Sequence, residues 1–308
     1  MKIEEYSLLS EEELKTRIAR LKVGKGAVIL AHSYQRQEVQ DVADFIGDSL
    51  GLSQEARRTD SSIIVFCGVH FMAESAKILN VHKKVLLPDP AAGCPLADMV
   101  TPQMLRKLKR KHPGSAVVCY INSTAAVKAE SDICCTSANA VKVVQSLGER
   151  DIIFIPDKNL GAYVSSVTGK PMILGNGFCY VHEQFTVRDV QRARKLHPDF
   201  TVVVHPECKP SVTALADAVT STSGMVALAE EKDKLVFGTE EGLIQRLRKT
   251  YPLKQIEFLG KENLCATMKL TTLEKVLRSL EEEVHEIELE PSVIEGAGRA
   301  LERMLEVS

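Results

Sequence analysis

The sequence has no excess of charge of one sign and no long apolar run. Its 39 lysines and arginines are nearly balanced by 41 aspartates and glutamates, which excludes the strongly basic surface typical of proteins that bind nucleic acids or anionic membranes. No apolar segment approaches the ~20 residues of a membrane-spanning helix. The N-terminal segment MKIEEYSLLSEEEL is acidic where a signal peptide would be basic and then apolar. We therefore expect a cytoplasmic protein that acts on small molecules, with neither nucleic acid nor membrane as a partner.

The sequence also lacks a Cys-x-x-C pair, although it contains eight cysteines. With 308 residues, 44% of them hydrophobic, the chain can form a sizeable core without disulfides. A cytoplasmic protein keeps its thiols reduced. Some of these cysteines are therefore candidates for metal ligands.

The chain contains one unit repeated three times. Each copy begins with a basic amphipathic helix and an apolar strand, read as ELKTRIARL with AVILAH, MLRKLKRKH with AVVCYI, and VQRARKLH with TVVVH. His32, Tyr120 and His205 end these strands at intervals of 88 and 85 residues. The repeat predicts three modules of the same fold.

Each copy continues with a helix start rich in small polar residues, then a second strand, a helix and a third strand. Strands that alternate with helices predict an α/β protein of three pseudo-symmetric three-layer αβα modules, with small parallel sheets around a central active site. We place the modules at residues 1–95 together with the tail 266–308, at 96–180 and at 181–265. The tail reads as helix, strand, helix, and we expect it to pack on the first module.

The third strand of every copy leads to a cysteine. Cys94, Cys179 and Cys265 are 85 and 86 residues apart, so each cysteine occupies the same place in its module. A buried cysteine in the core is the alternative reading, but each of the three follows a glycine or a polar loop, where packing does not favour a thiol. Three thiolates that meet at one point can bind zinc with an open fourth position or a [4Fe-4S] cluster with one iron free of protein ligands. The spacing alone leaves both metals open.

The other cysteines follow a different pattern. Cys67 and Cys119 lie within strands, the pair Cys134 and Cys135 precedes a helix start, and Cys208 follows a strand end. For these five we favour a place in the core or in a loop.

Polar side chains follow the first strand of each copy. His32 and Tyr34 belong to AHSYQ, Tyr120 and Asn122 to CYINS, and His205 and Glu207 to HPEC. A single histidine at a strand end is usually structural, but equivalent polar residues at three strand ends predict a site with acid, base and hydrogen-bonding groups. His182, three residues after Cys179, fits this site and a structural hydrogen bond equally well.

Four small hydroxyl residues at the predicted helix starts are Ser49, Ser137, Ser221 and Thr222, of which Ser49, Ser137 and Thr222 repeat at intervals of 88 and 85 residues. Their first interpretation is as N-caps, which satisfy free backbone N–H groups. A helix N-terminus also attracts phosphate and carboxylate groups. Three converging helix starts therefore predict a substrate with several negative charges.

From about residue 27 to residue 283 the sequence resembles the quinolinate synthase family of NAD biosynthesis. The resemblance rests on long segments rather than a short motif, namely AHSYQRQEVQDVADFIGDSL, FMAESAKIL, AGCPLADM, YINSTAAVKAESDICCTSANAV, PDKNLG, GFCYVHE, HPEC, STSGM and CATMKLTTLE. It implies one [4Fe-4S] cluster per chain on Cys94, Cys179 and Cys265. It also implies condensation of iminoaspartate with dihydroxyacetone phosphate to give quinolinate, phosphate and water.

The resemblance assigns substrate contacts to ten residues that also occupy the repeated positions: His32, Tyr34, Ser49, Tyr120, Asn122, Ser137, His205, Glu207, Ser221 and Thr222. Tyr34 and Glu207 are our candidates for proton transfer, with His205 orienting or assisting. An aspartate oxidase or dehydrogenase is the expected source of iminoaspartate. Two alternatives are a zinc lyase or hydrolase built on the same three cysteines and a non-catalytic iron-sulfur sensor or electron carrier, although a carrier normally closes its cluster with four cysteines.

Overall fold

The computed structural model describes residues 3–308, in which three parallel sheets of four strands each are flanked by helices. The first sheet is formed by β1 (Ala27–His32), β2 (Phe45–Gly47), β3 (Ile63–Cys67) and β4 (Lys84–Leu86), in the order β2-β1-β3-β4. The helices of this part of the chain are α1 (Ile3–Tyr6), α2 (Glu11–Gly24), α3 (Gln37–Val42), α4 (Ser49–Arg58) and α5 (His70–Leu79).

The second sheet repeats this arrangement. Its strands are β5 (Ala116–Tyr120), β6 (Ile133–Cys135), β7 (Ile152–Ile155) and β8 (Ile173–Leu174), in the order β6-β5-β7-β8. Its helices are α6 (Pro95–Asp98), α7 (Pro102–Lys111), α8 (Ala125–Ala129), α9 (Ala140–Ser146) and α10 (Lys158–Thr168).

The third sheet has the same order again. Its strands are β9 (Thr201–Val204), β10 (Ala218–Val219), β11 (Lys234–Gly238) and β12 (Gln255–Phe258), in the order β10-β9-β11-β12. The helices around it are α11 (Val187–Leu196), α12 (Pro210–Thr213), α13 (Thr222–Glu231) and α14 (Glu241–Thr250), and short 3₁₀ turns lie at His182–Gln184 and Met268–Leu270. The predicted fold class, three αβα modules with small parallel sheets, is confirmed.

Each sheet contains one strand more than the sequence predicts. The missed strands β2, β6 and β10 are edge strands of only two or three residues. Strands this short carry no readable alternation of apolar and polar residues. Cys134 and Cys135, expected near a helix start, are therefore buried in β6.

A repeated aspartate holds each of these edge strands in register. Asp44, Asp132 and Asp217 each precede the short strand, and a side-chain oxygen of each accepts a hydrogen bond from a backbone N–H of the neighbouring central strand, at 2.8, 2.7 and 2.8 Å. The backbone N–H of each aspartate donates to the carbonyl of the same central-strand residue. One side chain thus replaces the ladder bonds that so short a strand does not supply.

The tail after residue 270 forms two helices, α15 (Leu273–Glu282) and α16 (Pro291–Val307). Helix α15 packs on α2 and α1, whereas α16 packs on α8, α5 and β6 and so joins the first two modules. The strand expected between them is wrong, because residues 285–290 form only an isolated antiparallel bridge from Glu286 to Leu86. The module boundaries stay a prediction.

The sheets are enclosed by apolar side chains on both faces, as expected for parallel sheets. Every residue of the central strands β5 and β7 is buried. Within residues 3–308, no helix combines the length and apolar character needed to cross a membrane.

Candidate active site

One cavity is lined by side chains from all three modules. His32 ends β1, Tyr120 ends β5, and His205 directly follows β9. The cavity therefore lies at the carboxyl ends of the central strands, where α/β proteins place their ligands. The predicted site residues that line it are His32, Tyr34, Ser49, Cys94, Tyr120, Asn122, Ser137, Cys179, His182, His205, Glu207, Thr222 and Cys265.

The three repeated cysteines share this cavity. Cys94, Cys179 and Cys265 are only partly buried, whereas the other five cysteines are fully buried, and all eight are free thiols. Burial raises the pKa of Cys94 to about 12, and backbone N–H groups of Ala97 and Leu96 partly oppose this effect. Three converging thiols without a disulfide are a donor set suited to a soft metal or an iron-sulfur cluster.

Two of the cysteine-bearing loops are held by buried carboxylates. Asp157 Oδ2 accepts a hydrogen bond from the N–H of Cys179 at 3.2 Å, and Glu240 Oε1 accepts one from the N–H of Cys265 at 3.0 Å. Asp157 and Glu240 also cap α10 and α14. Each carboxylate therefore connects the start of a helix to a cysteine of the cavity.

Glycine allows the loop that carries Cys179 to approach its strand. A Cβ on Gly175 would lie 2.6 Å from the carbonyl oxygen of Pro156, and a Cβ on Gly177 would lie 2.8 Å from the same atom. These contacts are too short for any other residue. The G-N-G sequence before Phe178 thus brings Cys179 to the cavity wall.

Two histidines and a glutamate form the polar centre of the cavity. Glu207 Oε2 lies 2.7 Å from His182 Nδ1 and 3.3 Å from His205 Nδ1. His205 Nε2 lies within hydrogen-bond distance of Ser137 Oγ, at 3.2 Å. All three side chains of the centre are less than 5% exposed. His182, for which the sequence left a structural role open, therefore belongs to the cavity.

Burial and mutual charge shift the pKa values of this centre. Burial acts to raise the pKa of Glu207, but the charges of His182 and His205 outweigh it and hold this pKa well below the usual range. Burial, with the neighbouring His182, lowers the pKa of His205. Burial also lowers the pKa of His32 to about 4. These shifts favour an ionised carboxylate at Glu207 and a neutral imidazole at His32.

Tyr34 faces this centre from the first module. Its hydroxyl lies 2.8 Å from Thr239 Oγ1 and 3.1 Å from Thr222 Oγ1, and burial raises its pKa well above the ordinary value. Thr239 Oγ1 also lies 3.1 Å from His182 Nε2. The hydroxyl of Thr239 therefore connects Tyr34 with His182. The sequence did not single out Thr239, which stands behind the cavity wall.

The helix starts differ in part from their expected roles. Ser221 caps α13 by accepting a hydrogen bond from the N–H of Gly224, and it is the one predicted site residue that does not line the cavity. Ser49 is the first residue of α4, and Asp48 is its cap. Ser137 precedes α9 by three residues and caps nothing. Its expected capping role is wrong because the chain makes a turn between Thr136 and Asn139 before the helix begins.

Asp48 is a cavity residue that sequence reasoning missed. Its Oδ1 accepts a hydrogen bond from the N–H of Gly51 at 2.9 Å, while its buried Oδ2 has no partner within residues 3–308. Asn122 Oδ1 and Glu207 Oε1 are likewise buried and unpaired in this part of the chain. Unpaired buried acceptors are costly, so their convergence on one cavity indicates a ligand site. Ser49 was predicted because its hydroxyl position repeats in the three modules, and the carboxylate of Asp48 beside it was not considered.

A second set of metal-binding atoms occurs in the same cavity. Cys179, His182 and Glu207 each offer a ligand atom, and these atoms lie within 4.8 Å of one another. Mixed sulfur, nitrogen and oxygen donors suit zinc, whereas the three thiols suit an iron-sulfur cluster. The two sets have Cys179 in common.

Comparison with known proteins identifies relatives over the whole chain. The family described as quinolinate synthetase A protein matches residues 16–306. Quinolinate synthase 2 of Methanosarcina acetivorans is 51% identical over 306 residues, covering 99% of this chain and 97% of the relative. Quinolinate synthases of Dehalococcoides mccartyi and Caldicellulosiruptor bescii are 51% and 50% identical, and in both cases the match covers 96% of this chain and 99% of the relative.

Proposed function

The chain belongs to the quinolinate synthase family, enzymes of NAD biosynthesis, and from this premise we propose that it condenses iminoaspartate with dihydroxyacetone phosphate. The products are quinolinate, phosphate and water. An aspartate oxidase or dehydrogenase supplies the iminoaspartate, and the reaction takes place in the cytoplasm. The observation that carries the proposal is the convergence of Cys94, Cys179 and Cys265 on one cavity with the His182, His205 and Glu207 centre.

In this proposal Cys94, Cys179 and Cys265 hold one [4Fe-4S] cluster. The donor set fits, because the three thiols line a single cavity, and a cluster held by them would keep one iron without a protein ligand. When bound, such a cluster supplies a Lewis acid for the loss of water.

Anion binding is assigned to two helix starts and to nearby hydroxyl groups. Ser49 begins α4 and Thr222 begins α13, and both residues line the cavity. Free N–H groups and the helix dipole attract phosphate and carboxylate. His32, Tyr120, Asn122 and Ser137 complete the polar wall that holds the two substrates together. Close placement of the substrates removes much of the entropic cost of the condensation.

Proton transfer is assigned to Tyr34 and Glu207. The raised pKa of Tyr34 keeps its hydroxyl protonated, so it serves as an acid. The lowered pKa of Glu207 keeps it ionised, so its carboxylate is available to accept a proton. His205 Nε2, 3.2 Å from Ser137 Oγ, is oriented toward the wall that binds the substrate.

The deciding experiment is an assay of quinolinate formation by anaerobic protein reconstituted with iron and sulfide. We expect turnover together with about four irons per chain, the number in a [4Fe-4S] cluster. Loaded protein that makes no quinolinate from the two substrates would contradict the proposal.

A zinc enzyme is the second candidate, because Cys179, His182 and Glu207 could form a zinc site in the same cavity. Two variants distinguish the candidates. Cys94→Ala removes a cluster ligand but leaves the zinc set intact, whereas His182→Asn removes a zinc ligand but leaves all three thiols. Loss of iron and sulfide in Cys94→Ala and their retention in His182→Asn would support the cluster, whereas zinc that is kept in Cys94→Ala and lost in His182→Asn would support the zinc site.

A further inference from the structure

A buried ion pair lies behind the cavity wall and has no part in the chemistry described above. Lys269 Nζ lies 3.0 Å from Glu240 Oε1, and the two side chains are 12% and 0% exposed. Neither residue lines the cavity. The attraction within a buried pair is largely offset by the loss of hydration, so a buried pair is weak evidence for a role in stability. Its other contacts indicate a more specific role.

Both partners bind backbone groups of the site. Glu240 Oε1 accepts a hydrogen bond from the N–H of Cys265 at 3.0 Å, and Lys269 Nζ donates to the carbonyl oxygen of Tyr34 at 2.7 Å. The N–H of Lys269 also donates to the carbonyl oxygen of Cys265. A continuous set of polar contacts therefore runs from Cys265 through Glu240 and Lys269 to Tyr34.

Tyr34 is held at both ends, by Lys269 just after the cysteine-bearing loop and by Thr239 just after β11. Lys269 binds its backbone carbonyl, and Thr239, the residue before Glu240, contacts its hydroxyl at 2.8 Å. Arg36 Nε adds a second connection by donating to the carbonyl oxygen of Lys269 at 2.7 Å. The loop that carries Tyr34 follows β1, and these contacts fix it against the segment that carries Cys265 and Lys269.

The absence of a side chain at Gly242 leaves space for the ion pair. A Cβ there would lie 2.7 Å from Lys269 Nζ and 2.9 Å from both the carbonyl oxygen of Gln35 and Glu240 Oε2. Any side chain at this position would displace the ion pair or the backbone next to Tyr34. The backbone N–H of Gly242 also donates to Glu240 Oε2 at 2.6 Å, which holds the second oxygen of the carboxylate.

We propose that Glu240 and Lys269 are positioning residues that fix Tyr34 relative to Cys265. One ion pair thereby determines the positions of both the proton donor and the metal ligand. This inference rests on the proposed function, because it gives Tyr34 and Cys265 their roles. Displacement of a reacting group by about 1 Å is enough to reduce a rate by up to about 100-fold. The ion pair therefore acts on catalysis through Tyr34 without touching the substrate.

Lys269→Met tests the contact with Tyr34 separately from the contact with Cys265. The variant loses the bond to Tyr34 but keeps the bond from Glu240 to Cys265, so we expect normal iron and sulfide content in the reconstituted protein. We expect kcat to fall about 10-fold with KM changed less than about 2-fold, because the substrate-binding wall is untouched. In metal-free protein, amide hydrogen exchange in residues 33–36 should be faster than in the parent.

Lys249→Met is the matched control. Lys249 Nζ also connects the third module to the first, through Asp41 Oδ1 at 2.7 Å, but this pair is exposed at 57% and 28%. We expect this variant to match the parent in kcat, iron content and exchange at residues 33–36. Equal effects of the two substitutions would show a general loss of contact between modules and would overturn the assignment.

Glu240→Gln tests the contact of the ion pair with the Cys265 loop. It should release iron to a chelator about 3-fold faster than the parent and should also raise exchange at residues 33–36, because a neutral amide replaces the charged acceptor shared by the Cys265 N–H and Lys269. Unchanged exchange in Glu240→Gln and Lys269→Met would overturn the proposal whatever the activity. Faster exchange in both variants of a protein that makes no quinolinate would leave the positioning contacts standing and reject the proposed function alone.

Discussion

His182 stacks on His205 with ring centroids 4.4 Å apart and ring planes 21° apart. The two rings present Nδ1 to the same oxygen of Glu207, at 2.7 and 3.3 Å. Two imidazolium charges at this distance would repel each other, whereas the carboxylate readily balances one. Glu207 thus joins the two rings into one buried polar unit at the wall of the cavity.

Acid should destabilise the metal-free protein before its carboxylates titrate. Burial lowers the pKa of His32 from 6.5 to about 4, so the unfolded chain binds a proton in this range that the folded protein does not. The contribution of His32 to the free energy of unfolding is fully present above pH 6.5 and is lost as the pH falls toward 4, by up to about 3 kcal/mol. The lowered pKa of His205 acts in the same direction.

Urea unfolding of the metal-free protein at several pH values between 7.5 and 4.5 measures this effect. His32→Gln should flatten the pH dependence, since it removes one of the titrating groups. A parent and a variant with the same slope would show that His32 gains its proton as easily when folded as when unfolded.

The sequence predicted the modules because their repeat is long and their central strands are continuous apolar runs. It missed β2, β6 and β10 because two or three residues cannot show a period. The repeated Asp44, Asp132 and Asp217 were nevertheless visible, at the same 88 and 85 residue intervals as the site residues. Attention to polar residues within the repeat, and not only at strand ends, would have located these edge strands.

The cavity was predictable to the extent that its residues repeat or match the family's segments. Asp48 and Thr239 were not found, although Asp48 directly precedes a repeated serine. Glu240 and Lys269 also escaped notice, because a charged residue at a helix start or in a loop is usually exposed. Their burial follows from the way the first and third modules meet, and contacts between modules cannot be read from local patterns.

Asp132→Ala should lower stability without affecting the site. The carboxylate accepts a hydrogen bond from the N–H of Val117 at 2.7 Å and holds β6 beside β5. Loss of a hydrogen bond to a charged acceptor costs about 1.5–3 kcal/mol. The measurement is the urea midpoint together with iron content after reconstitution. Normal stability would mean that the main-chain bonds of β6 alone hold its register.

Substitution of the cysteines should divide them into two groups. Cys94→Ala, Cys179→Ala and Cys265→Ala should each lose iron and activity, because these three cysteines alone among the eight are incompletely buried and share the cavity. Cys67→Ala and Cys208→Ala are the controls, since both thiols are fully buried in the core and should be dispensable for metal binding. Iron and sulfide analysis of anaerobically purified protein measures the difference. Retention of the cluster in Cys179→Ala, with its loss in Cys208→Ala, would reverse the assignment.

Tyr34→Phe and Glu207→Gln test the assigned proton transfers. Both substitutions preserve size and leave all three cysteines in place, so the cluster and substrate binding should persist. If the two groups transfer protons in the transition state, kcat should fall by roughly 100-fold or more while KM stays close to that of the parent. Quinolinate formation under anaerobic, saturating conditions gives kcat, and iron content and substrate binding are measured on the same samples.

The two possible roles of Tyr34 give different kinetics. Its hydroxyl contacts Thr222 and Thr239, so loss of the hydroxyl also removes hydrogen bonds within the wall. A residue that only binds substrate would raise KM and leave kcat nearly normal, because such binding is the same in the ground state and the transition state. That result in both variants would move the acid and base roles to His205, whose Nε2 lies 3.2 Å from Ser137 Oγ at the same wall.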